Sequence, residues 1–180
     1  GKPVFHFVNV VDDLEMGITH VIRGEDHLSN TSRHIQLFKA FGVSPPIFAH
    51  IPLILNPDGS KMSKRDQGAS LSSYQEEQYL PQAVVNYLFN LGNPPNEDDG
   101  EIKGIQEMIK AFDLKNLSRK NACFDIRKLN WLNSEHLGLL DEHAFLKLAT
   151  RTLEEQKVSI RTITPDYLKA ALLSVQEKMK

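Results

Sequence analysis

A short basic segment follows an apolar run near the end of the first third of the chain and could bind phosphate. Its sequence, KMSKR, supplies Lys61, Lys64 and Arg65, and Gly59 and Gly68 flank it. Because cations neutralise the charge that develops on a reacting phosphoryl group, such a loop can hold a polyphosphate. It lacks the glycine-rich run directly before the lysine that a P-loop needs. Taken alone, the segment is more typical of a solvated basic loop.

Charged side chains also follow a second β-rich run. Residues 19–23 predict a buried strand that ends at Arg23, and Glu25 and Asp26 come directly after it. The apolar run 47–55 predicts another strand, buried on both faces. A predicted helix lies between them, so the strands are expected to be parallel, with a right-handed crossover. Both charged segments then lie beyond the carboxyl ends of the strands, where open α/β sheets bind ligands.

The composition is that of a globular protein. Of the 180 residues, 41% are hydrophobic and 24% are charged, and the net charge is −2. No run of 18 apolar residues is present, which predicts no membrane span. The single cysteine excludes an internal disulfide and favours a reducing compartment. We therefore expect a cytoplasmic protein without membrane association.

Helical periodicity dominates outside the two predicted strands. An opening helix is predicted over residues 4–14, and residues after 72 predict helices only. Trp131 has helical spacing with Leu129 and Leu132 and is predicted to lie in the core. The later helices are expected at 74–79, 81–92, 105–111 and 125–137, with two more starting at Asp141 and at Thr164.

Several motifs, in a fixed order, resemble those of one enzyme family. KMSKR is close to the KMSKS signature of class I aminoacyl-tRNA synthetases. Residues 3–137 resemble the second half of a bacterial or organellar glutamyl-tRNA synthetase, with weaker similarity to the end. The strings that carry the resemblance are PVFHFVNVVDDLEMGITHVIRGEDHLSNTSRHIQLFKAFG, FAHIPLILNPDGSKMSKRDQGAS, YLPQAVVNYLFNLG and FDIRKLNWLN.

The resemblance implies an α/β fold class: the second half of a class I synthetase Rossmann-type parallel sheet, followed by an all-helical stem-contact region. Residues 1–71 would be the C-terminal half of the nucleotide-binding catalytic domain with the KMSKR loop. Residues 72–138 would be the helical stem-contact domain, and 139–180 the start of a helical anticodon-binding domain. The His-Ile-Gly-His-type motif of class I enzymes does not occur in the sequence. We therefore expect a fragment that is inactive alone.

The implied activity is glutamate–tRNA ligation, in which ATP activates L-glutamate and the glutamyl group is transferred to tRNA(Glu). Mg2+ would accompany ATP as part of the substrate, no protein-bound metal is expected, and the protein would be a monomer. Three alternatives remain open. They are a glutaminyl-tRNA synthetase, a glutamyl-queuosine tRNA(Asp) synthetase paralogue, and a non-catalytic tRNA-binding module if these 180 residues are the whole gene product.

The resemblance also implies roles for residues on the nucleotide side. Lys64 is similar to the lysine that stabilises the transition state at the α-phosphate, with Lys61 and Arg65 as supporting catalytic cations. Ile54 matches a position whose backbone meets the adenine. The implied ATP-binding residues are Asp26, Ile54, Met62, Ser63 and Lys64.

On the amino-acid side, Arg23 matches an arginine that grips a carboxylate of the substrate, a role suited to a planar, always charged fork. An ion pair with Glu25 or Asp26 is the alternative. Asn9 and Phe5 fall where the opening helix of the family lines the glutamate pocket. Phe5 departs from the usual tyrosine, so any hydrogen bond of that hydroxyl is lost.

Two further groups of residues, the histidines and a basic stretch, also call for an interpretation. The histidines at positions 20, 27, 34 and 50 lack metal-ligand spacing and are predicted to be packing or surface groups, with His27 alone beside the nucleotide site. Residues 113–130 carry five cations against two aspartates on a chain that is acidic overall. Phosphate contacts to tRNA are expected there. The candidates are Lys115, Arg119, Lys120, Arg127 and Lys128.

Overall fold

The computed structural model describes residues 4–63, 66, 68–95, 100–160 and 162–179. It is an α/β chain in which helices predominate, as predicted. Short 3-10 turns cover Glu25–His27 and Leu114–Asn116. In chain order the regular elements are α1 (Phe5–Glu15), β1 (His20–Gly24), α2 (Leu28–Ala40), β2 (Ile47–Ile51), β3 (Ile54–Leu55), α3 (Leu71–Glu76), α4 (Pro81–Gly92), α5 (Ile105–Ala111), β4 (Ala122–Cys123), α6 (Ile126–Gly138), α7 (Glu142–Glu155) and α8 (Pro165–Glu177).

The first sheet confirms the predicted parallel pairing. β1 and β2 run parallel with α2 between them, and their register pairs Arg23 with His50. α2 ends just before Gly42, whose φ of +73° is a left-handed conformation that glycine adopts without steric penalty. The carboxyl ends of both strands therefore lie at one edge of the sheet.

The prediction that these strands are buried is wrong. Ile22 on β1 is 46% exposed and Ile47 on β2 is 63% exposed. An apolar run identifies a strand, but a side chain is buried only where another element packs on it. Within the described residues these positions are covered only in part. The run 47–55 is also divided, because β2 ends before Pro52, and β3 is a separate strand.

A second small sheet joins distant parts of the chain. β3 pairs in parallel with β4, in the register Ile54 to Ala122 and Leu55 to Cys123. The amide of Phe124 donates to the carbonyl oxygen of Leu55 at 2.8 Å. The sequence analysis did not predict β4, because two residues are too few to show alternation. The pairing links residues on both sides of the boundary predicted at residue 71, and the domain division itself stays a prediction.

The core lies among the helices after residue 70. Its fully buried members include Tyr87, Leu129 and Leu132. The hydroxyl of Tyr87 accepts a hydrogen bond from the amide of Asp125 at 2.6 Å, which satisfies a polar group at the start of α6. Burial raises the pKa of Tyr87 to about 12. The buried cluster consists of Tyr74, Val84, Tyr87, Phe124, Leu129 and Leu132.

Two predictions in this region are wrong. Trp131 is 41% exposed, because it lies on the face of α6 opposite its buried neighbours. The helix predicted at 74–79 is α3, which occupies Leu71–Glu76 and is followed by Gln78 with a φ of +60°. A left-handed residue cannot continue a right-handed helix. The helices α4 and α5 begin and end where the sequence predicted.

The loop after β3 is anchored by a close contact at Gly68. Gly68 has a φ of +84°, and a Cβ built on it would lie 2.3 Å from the ring of Phe124. Gly59 has nearly the same φ, +83°, but its Cβ would meet nothing within 4 Å. Both glycines avoid backbone strain, but only Gly68 makes room for a core side chain.

We therefore expect Gly68→Ala to lower the free energy of unfolding by about 1–3 kcal/mol more than Gly59→Ala, because an added methyl overpacks the site against Phe124. Gly59→Ala is the matched control, since it carries the same backbone penalty without the clash. Chemical denaturation of both variants measures the difference. Equal losses would contradict the contact between Gly68 and Phe124.

Candidate functional site

Arg23 lies near the end of β1, and its guanidinium contacts three neighbouring elements. Nε donates to Nε2 of His50 on β2 at 3.4 Å, and Nη2 donates to Oγ1 of Thr31 on α2 at 2.9 Å. Nη2 also donates to the backbone oxygen of His27 at 3.3 Å. Nη1 lies 3.4 Å from Nδ1 of His34. The guanidinium carbon lies 5.2 Å from the ring centre of Phe48, within cation–π range.

None of these partners carries a carboxylate. The predicted alternative, an ion pair of Arg23 with Glu25 or Asp26, does not occur, and within the described part of the chain Arg23 forms no salt bridge. Asp13 on α1 is close enough to feel its charge, which acts to lower the pKa of Asp13, although burial outweighs it and raises that pKa. Arg23 is thus a half-buried cation whose contacts are all uncharged acceptors.

Aromatic and imidazole rings extend this cluster toward α1. The ring centre of Phe5 is 6.5 Å from that of His34 and 6.4 Å from that of His27. Nδ1 of His6 is 3.1 Å from Nε2 of His34. Asn9 lies one turn after Phe5, on the same face of α1, and is half-buried. Phe5 and Arg23 therefore approach the same imidazole, whereas no hydrogen bond joins Asn9 to Arg23 among the described residues.

Asp26 lies three residues beyond Arg23 and faces the basic loop. Its Oδ2 accepts a hydrogen bond from Nζ of Lys61 at 2.9 Å. This contact is the main reason that the pKa of Asp26 is lowered. Gly24 allows the close approach of the segment, because a Cβ there would lie 2.6 Å from Oδ1 of Asp26. The two segments singled out in the sequence are therefore in direct contact.

The basic loop continues from β3 as an irregular turn. Lys61 forms an antiparallel bridge with Leu55, and the amide of Met62 donates to the carbonyl oxygen of Ile54 at 3.3 Å. Met62 packs on the buried cluster. The carboxylate of Asp66 accepts from the amide of Ser63 at 2.6 Å. Ile54, Lys61, Met62 and Ser63 thus come together, while Lys64 and Arg65 lie outside the described residues.

The five basic candidates for phosphate contacts occupy three positions. Lys115 lies in the 3-10 turn Leu114–Asn116, Arg119 and Lys120 precede β4, and the remaining two lie in the first turn of α6. Nζ of Lys128 pairs with Oε1 of Glu101 at 2.7 Å, and Nε of Arg127 lies 3.6 Å from Oδ1 of Asp125. Lys115, Arg119 and Lys120 are exposed, and none forms a salt bridge within the described chain.

Sequence reasoning missed the surroundings of Arg23. Thr31, His34 and His50 were not predicted as site residues, yet each contacts the guanidinium. His27, the histidine expected beside the nucleotide site, contributes its backbone oxygen to Arg23 instead. The available signal was the placement of His50 near the end of the second strand, because parallel strands bring such ends together.

The described residues show neither a metal cluster nor a membrane-spanning helix. Among the described residues, no group of three or more His, Cys, Asp or Glu side chains is arranged to hold a metal ion. No helix in the described ranges has both the length and the apolar character needed to cross a bilayer.

Comparisons with known proteins point to one family. Residues 1–131 match the family model described as tRNA synthetases class I (E and Q), catalytic domain. The whole chain is 51% identical to a glutamate–tRNA ligase of Akkermansia muciniphila and 54% identical to one of Methylacidiphilum infernorum. It spans only 40% of the length of each of these relatives.

A solved structure is also similar. The crystal structure of a glutamate tRNA ligase from Elizabethkingia meningosepticum in complex with its amino acid superposes with a TM-score of 0.83 at 36% identity. The match covers 98% of this chain and 38% of that one. The predicted fold class, the second half of a class I synthetase fold followed by helices, is confirmed by this likeness and by the family model.

The contact between Asp26 and Lys61 leads to a titration test. We expect Lys61→Ala to raise the pKa of Asp26 toward its ordinary value, because the ammonium that favours the carboxylate is removed. Carboxyl carbon chemical shifts followed against pH measure the change. Asp58 is the internal control, since its pKa is lowered mainly by Ser60 and should not move. An unchanged pKa of Asp26 would show that the two side chains do not meet in solution.

Proposed function

Because the chain belongs to the class I tRNA synthetases for glutamate and glutamine, as part of their catalytic domain, we propose that the protein containing it ligates L-glutamate to tRNA(Glu) using ATP. The family includes enzymes for both amino acids. The relatives and the solved structure reported above are named for glutamate, which supports glutamate as the substrate. The proposal concerns the whole protein, since the chain spans 40% of the length of those relatives.

The observation that carries this proposal is the guanidinium of Arg23. A half-buried cation usually has an acidic partner, because leaving a charge uncompensated away from water is costly. Here every hydrogen-bond acceptor is uncharged and no described carboxylate forms a salt bridge with Arg23, although Asp13 is close enough to interact with its charge, so the fork can still bind a carboxylate of a ligand. Glutamate brings two carboxylates, and an arginine can bind a carboxylate through two parallel hydrogen bonds. We assign one of these carboxylates to Arg23, with Phe5 and Asn9 as pocket walls.

ATP would bind between Asp26 and the basic loop, on the side of Asp26 away from Arg23. The backbone of Ile54 would meet the adenine, and Asp26, Met62 and Ser63 would contact the nucleotide at the base of the loop. Lys61 pairs with Asp26, so this lysine is held within reach of the site. We assign the phosphates to Lys64, with Lys61 and Arg65 in support and Mg2+ bound to ATP as part of the substrate.

The reaction then has two steps. A carboxylate oxygen of glutamate attacks the α-phosphorus of ATP, and the bond to the pyrophosphate group breaks, which gives glutamyl-adenylate and pyrophosphate. A hydroxyl of the terminal ribose of tRNA next attacks the activated carbonyl, and AMP leaves. The cations of the loop act on the first step, because they stabilise the negative charge that develops around the α-phosphate.

The tRNA would contact the basic residues between positions 113 and 130. Lys115, Arg119 and Lys120 are the stronger candidates, since Arg127 and Lys128 already lie near carboxylates of the chain. Contacts to phosphate position a nucleic acid without reading its sequence. We therefore assign these residues to tRNA affinity and not to tRNA identity.

The proposal also assigns a role to each of the three predicted domains. Residues 1–71 would complete the nucleotide-binding domain, 72–138 would contact the tRNA stem, and 139–180 would begin the anticodon-binding domain. The protein would act as a cytoplasmic monomer. A non-catalytic tRNA-binding module is the contrasting possibility, and such a module would bind tRNA without a requirement for Arg23.

The assignment of Arg23 is tested in the full-length protein by Arg23→Lys. A single ammonium cannot replace a two-pronged guanidinium, so we expect the KM for glutamate to rise about tenfold or more, with the KM for ATP nearly unchanged. Steady-state aminoacylation kinetics measure both constants. Arg151→Lys, on an exposed face of α7, is the matched control. Normal glutamate kinetics in the Arg23 variant would refute the assignment.

The tRNA assignment is tested by salt dependence. With Lys115 and Lys120 both changed to Gln in the full-length protein, the slope of log affinity against log salt should become shallower by roughly 0.7–0.9 per lost contact. The loss should be similar for cognate and non-cognate tRNA, because phosphates carry no sequence information. Lys39→Gln, an exposed lysine on α2, is the control. An unaltered slope would show that these lysines are only solvated.

A further inference from the structure

The acceptors around Arg23 include two imidazole rings. In both, the nitrogen that faces Arg23 can accept a hydrogen bond only when the ring is neutral. Arginine has five N–H donors and no acceptor. Nδ1 of His34, 3.4 Å from Nη1, and Nε2 of His50, 3.4 Å from Nε, must therefore both be unprotonated to bond with it. Protonation of either ring would therefore remove one of the hydrogen bonds that hold the guanidinium.

The contact with Arg23 determines the tautomer of a neutral His34. Because Nδ1 accepts from Arg23, the proton of the neutral ring is on Nε2, which donates to Nδ1 of His6 at 3.1 Å. His6 then carries its own proton on Nε2, which faces Nη1 of Arg33 at 3.4 Å. Nε2 of His6 and Nη1 of Arg33 would then both be donors. This pair is exposed, so the side chain of Arg33 can turn toward water instead. This donor–donor contact does not involve Arg23.

The tautomer of His50 is fixed in the same way. Its Nε2 accepts from Arg23 and lies 3.0 Å from Oγ1 of Thr31. Oγ1 accepts from Nη2 of Arg23 at 2.9 Å, and the hydroxyl proton of Thr31 can point at Nε2 of His50 or at the backbone oxygen of His27, 3.5 Å away. Thr31 therefore contacts both Arg23 and His50, and a proton on Nε2 of His50 would remove the hydrogen bond from Arg23, although that ring could then donate to Oγ1 of Thr31.

The charged and titratable groups that face this cluster favour neutral rings. Arg23 on β1 and His27 in the 3-10 turn act on both histidines, and His6 on α1 acts on His34. Burial, the largest cause, and these neighbours lower the pKa of both rings below 6.5. Asp13 on α1 and Arg33 on α2 are the other charged groups nearby. His34 is fully buried, so a proton there would have no water to stabilise it.

We infer that His34 and His50 are positioning residues, which hold the guanidinium of Arg23 in place for a substrate carboxylate by acting as neutral acceptors. An acidic residue in either position would hold Arg23 more strongly but would compete with the substrate for its charge. Neutral imidazoles orient the fork without forming a salt bridge with it. The inference rests on the proposed function, in that Arg23 is taken as the carboxylate site.

The experiment compares variants of the full-length protein in steady-state aminoacylation. His34→Leu removes the acceptor at similar volume, and His34→Gln supplies a neutral amide that cannot be protonated. We expect His34→Leu to raise the KM for glutamate about tenfold, the value of one hydrogen bond to a charged group, while the KM values for ATP and tRNA stay unchanged. His34→Gln should restore a low KM for glutamate, because its amide oxygen can accept from Arg23.

A pH profile separates positioning from packing. In the unmodified protein the KM for glutamate should rise as the pH falls below 6.5, because protonated rings repel Arg23 and lose their acceptors. Glutamate itself keeps its carboxylates charged down to about pH 5. The double variant His34→Gln with His50→Gln should have a flatter profile. His20→Gln is the control, since the ring of His20 contacts only Thr19 among the described residues.

The outcomes distinguish this inference from the proposed function. If Arg23→Lys raises the KM for glutamate but His34→Leu does not, the positioning role is overturned and the carboxylate site survives. If Arg23→Lys has no effect either, both are overturned. Should His34→Leu fail to fold, the pH profiles decide, and an equally steep acid rise in the double glutamine variant overturns the positioning role.

Discussion

The register between β1 and β2 is the constraint on which the candidate site depends. It places Arg23 beside His50 at the carboxyl ends of two parallel strands. A slip by one residue would turn every side chain of one strand to the opposite face, and the guanidinium would lose this partner. The helix that connects the strands then supplies Thr31 and His34 from adjacent positions on one face, three residues apart. One parallel pair and its crossover helix thus assemble the surroundings of a single cation.

Much of the helical part could be predicted because single residues at the helix ends indicate where each helix begins. Pro81 occupies a first helical position, and Asp125 and Asp141 cap the helices that follow them. Burial was harder to predict, since it depends on what another element covers. Trp131 has the same helical spacing as its buried neighbours, yet it lies on the solvent side. β4 is a strand only because β3 lies beside it, and no pattern of two residues reveals that.

In the candidate site, too, some residues could be predicted from the sequence and others could not. The motifs identified Arg23, Asp26 and Lys61, and the structure adds that the last two are in contact. The role of the histidines could not be read from spacing, because His6, His34 and His50 come from three different elements. Whether a histidine serves as an acceptor depends on which atom faces it. Only the distances to Arg23 and to one another determine that the rings must be neutral.

The exposed strands also affect how this chain behaves by itself in solution. Among the described residues β1 pairs only with β2, so its other edge carries backbone donors and acceptors without a strand partner. Apolar side chains of both strands, such as Ile22 on β1 and Ile47 on β2, are also exposed. An uncovered apolar edge is a template for pairing with other molecules. We therefore expect this sheet to limit the colloidal stability of the chain, so that concentrating it favours self-association.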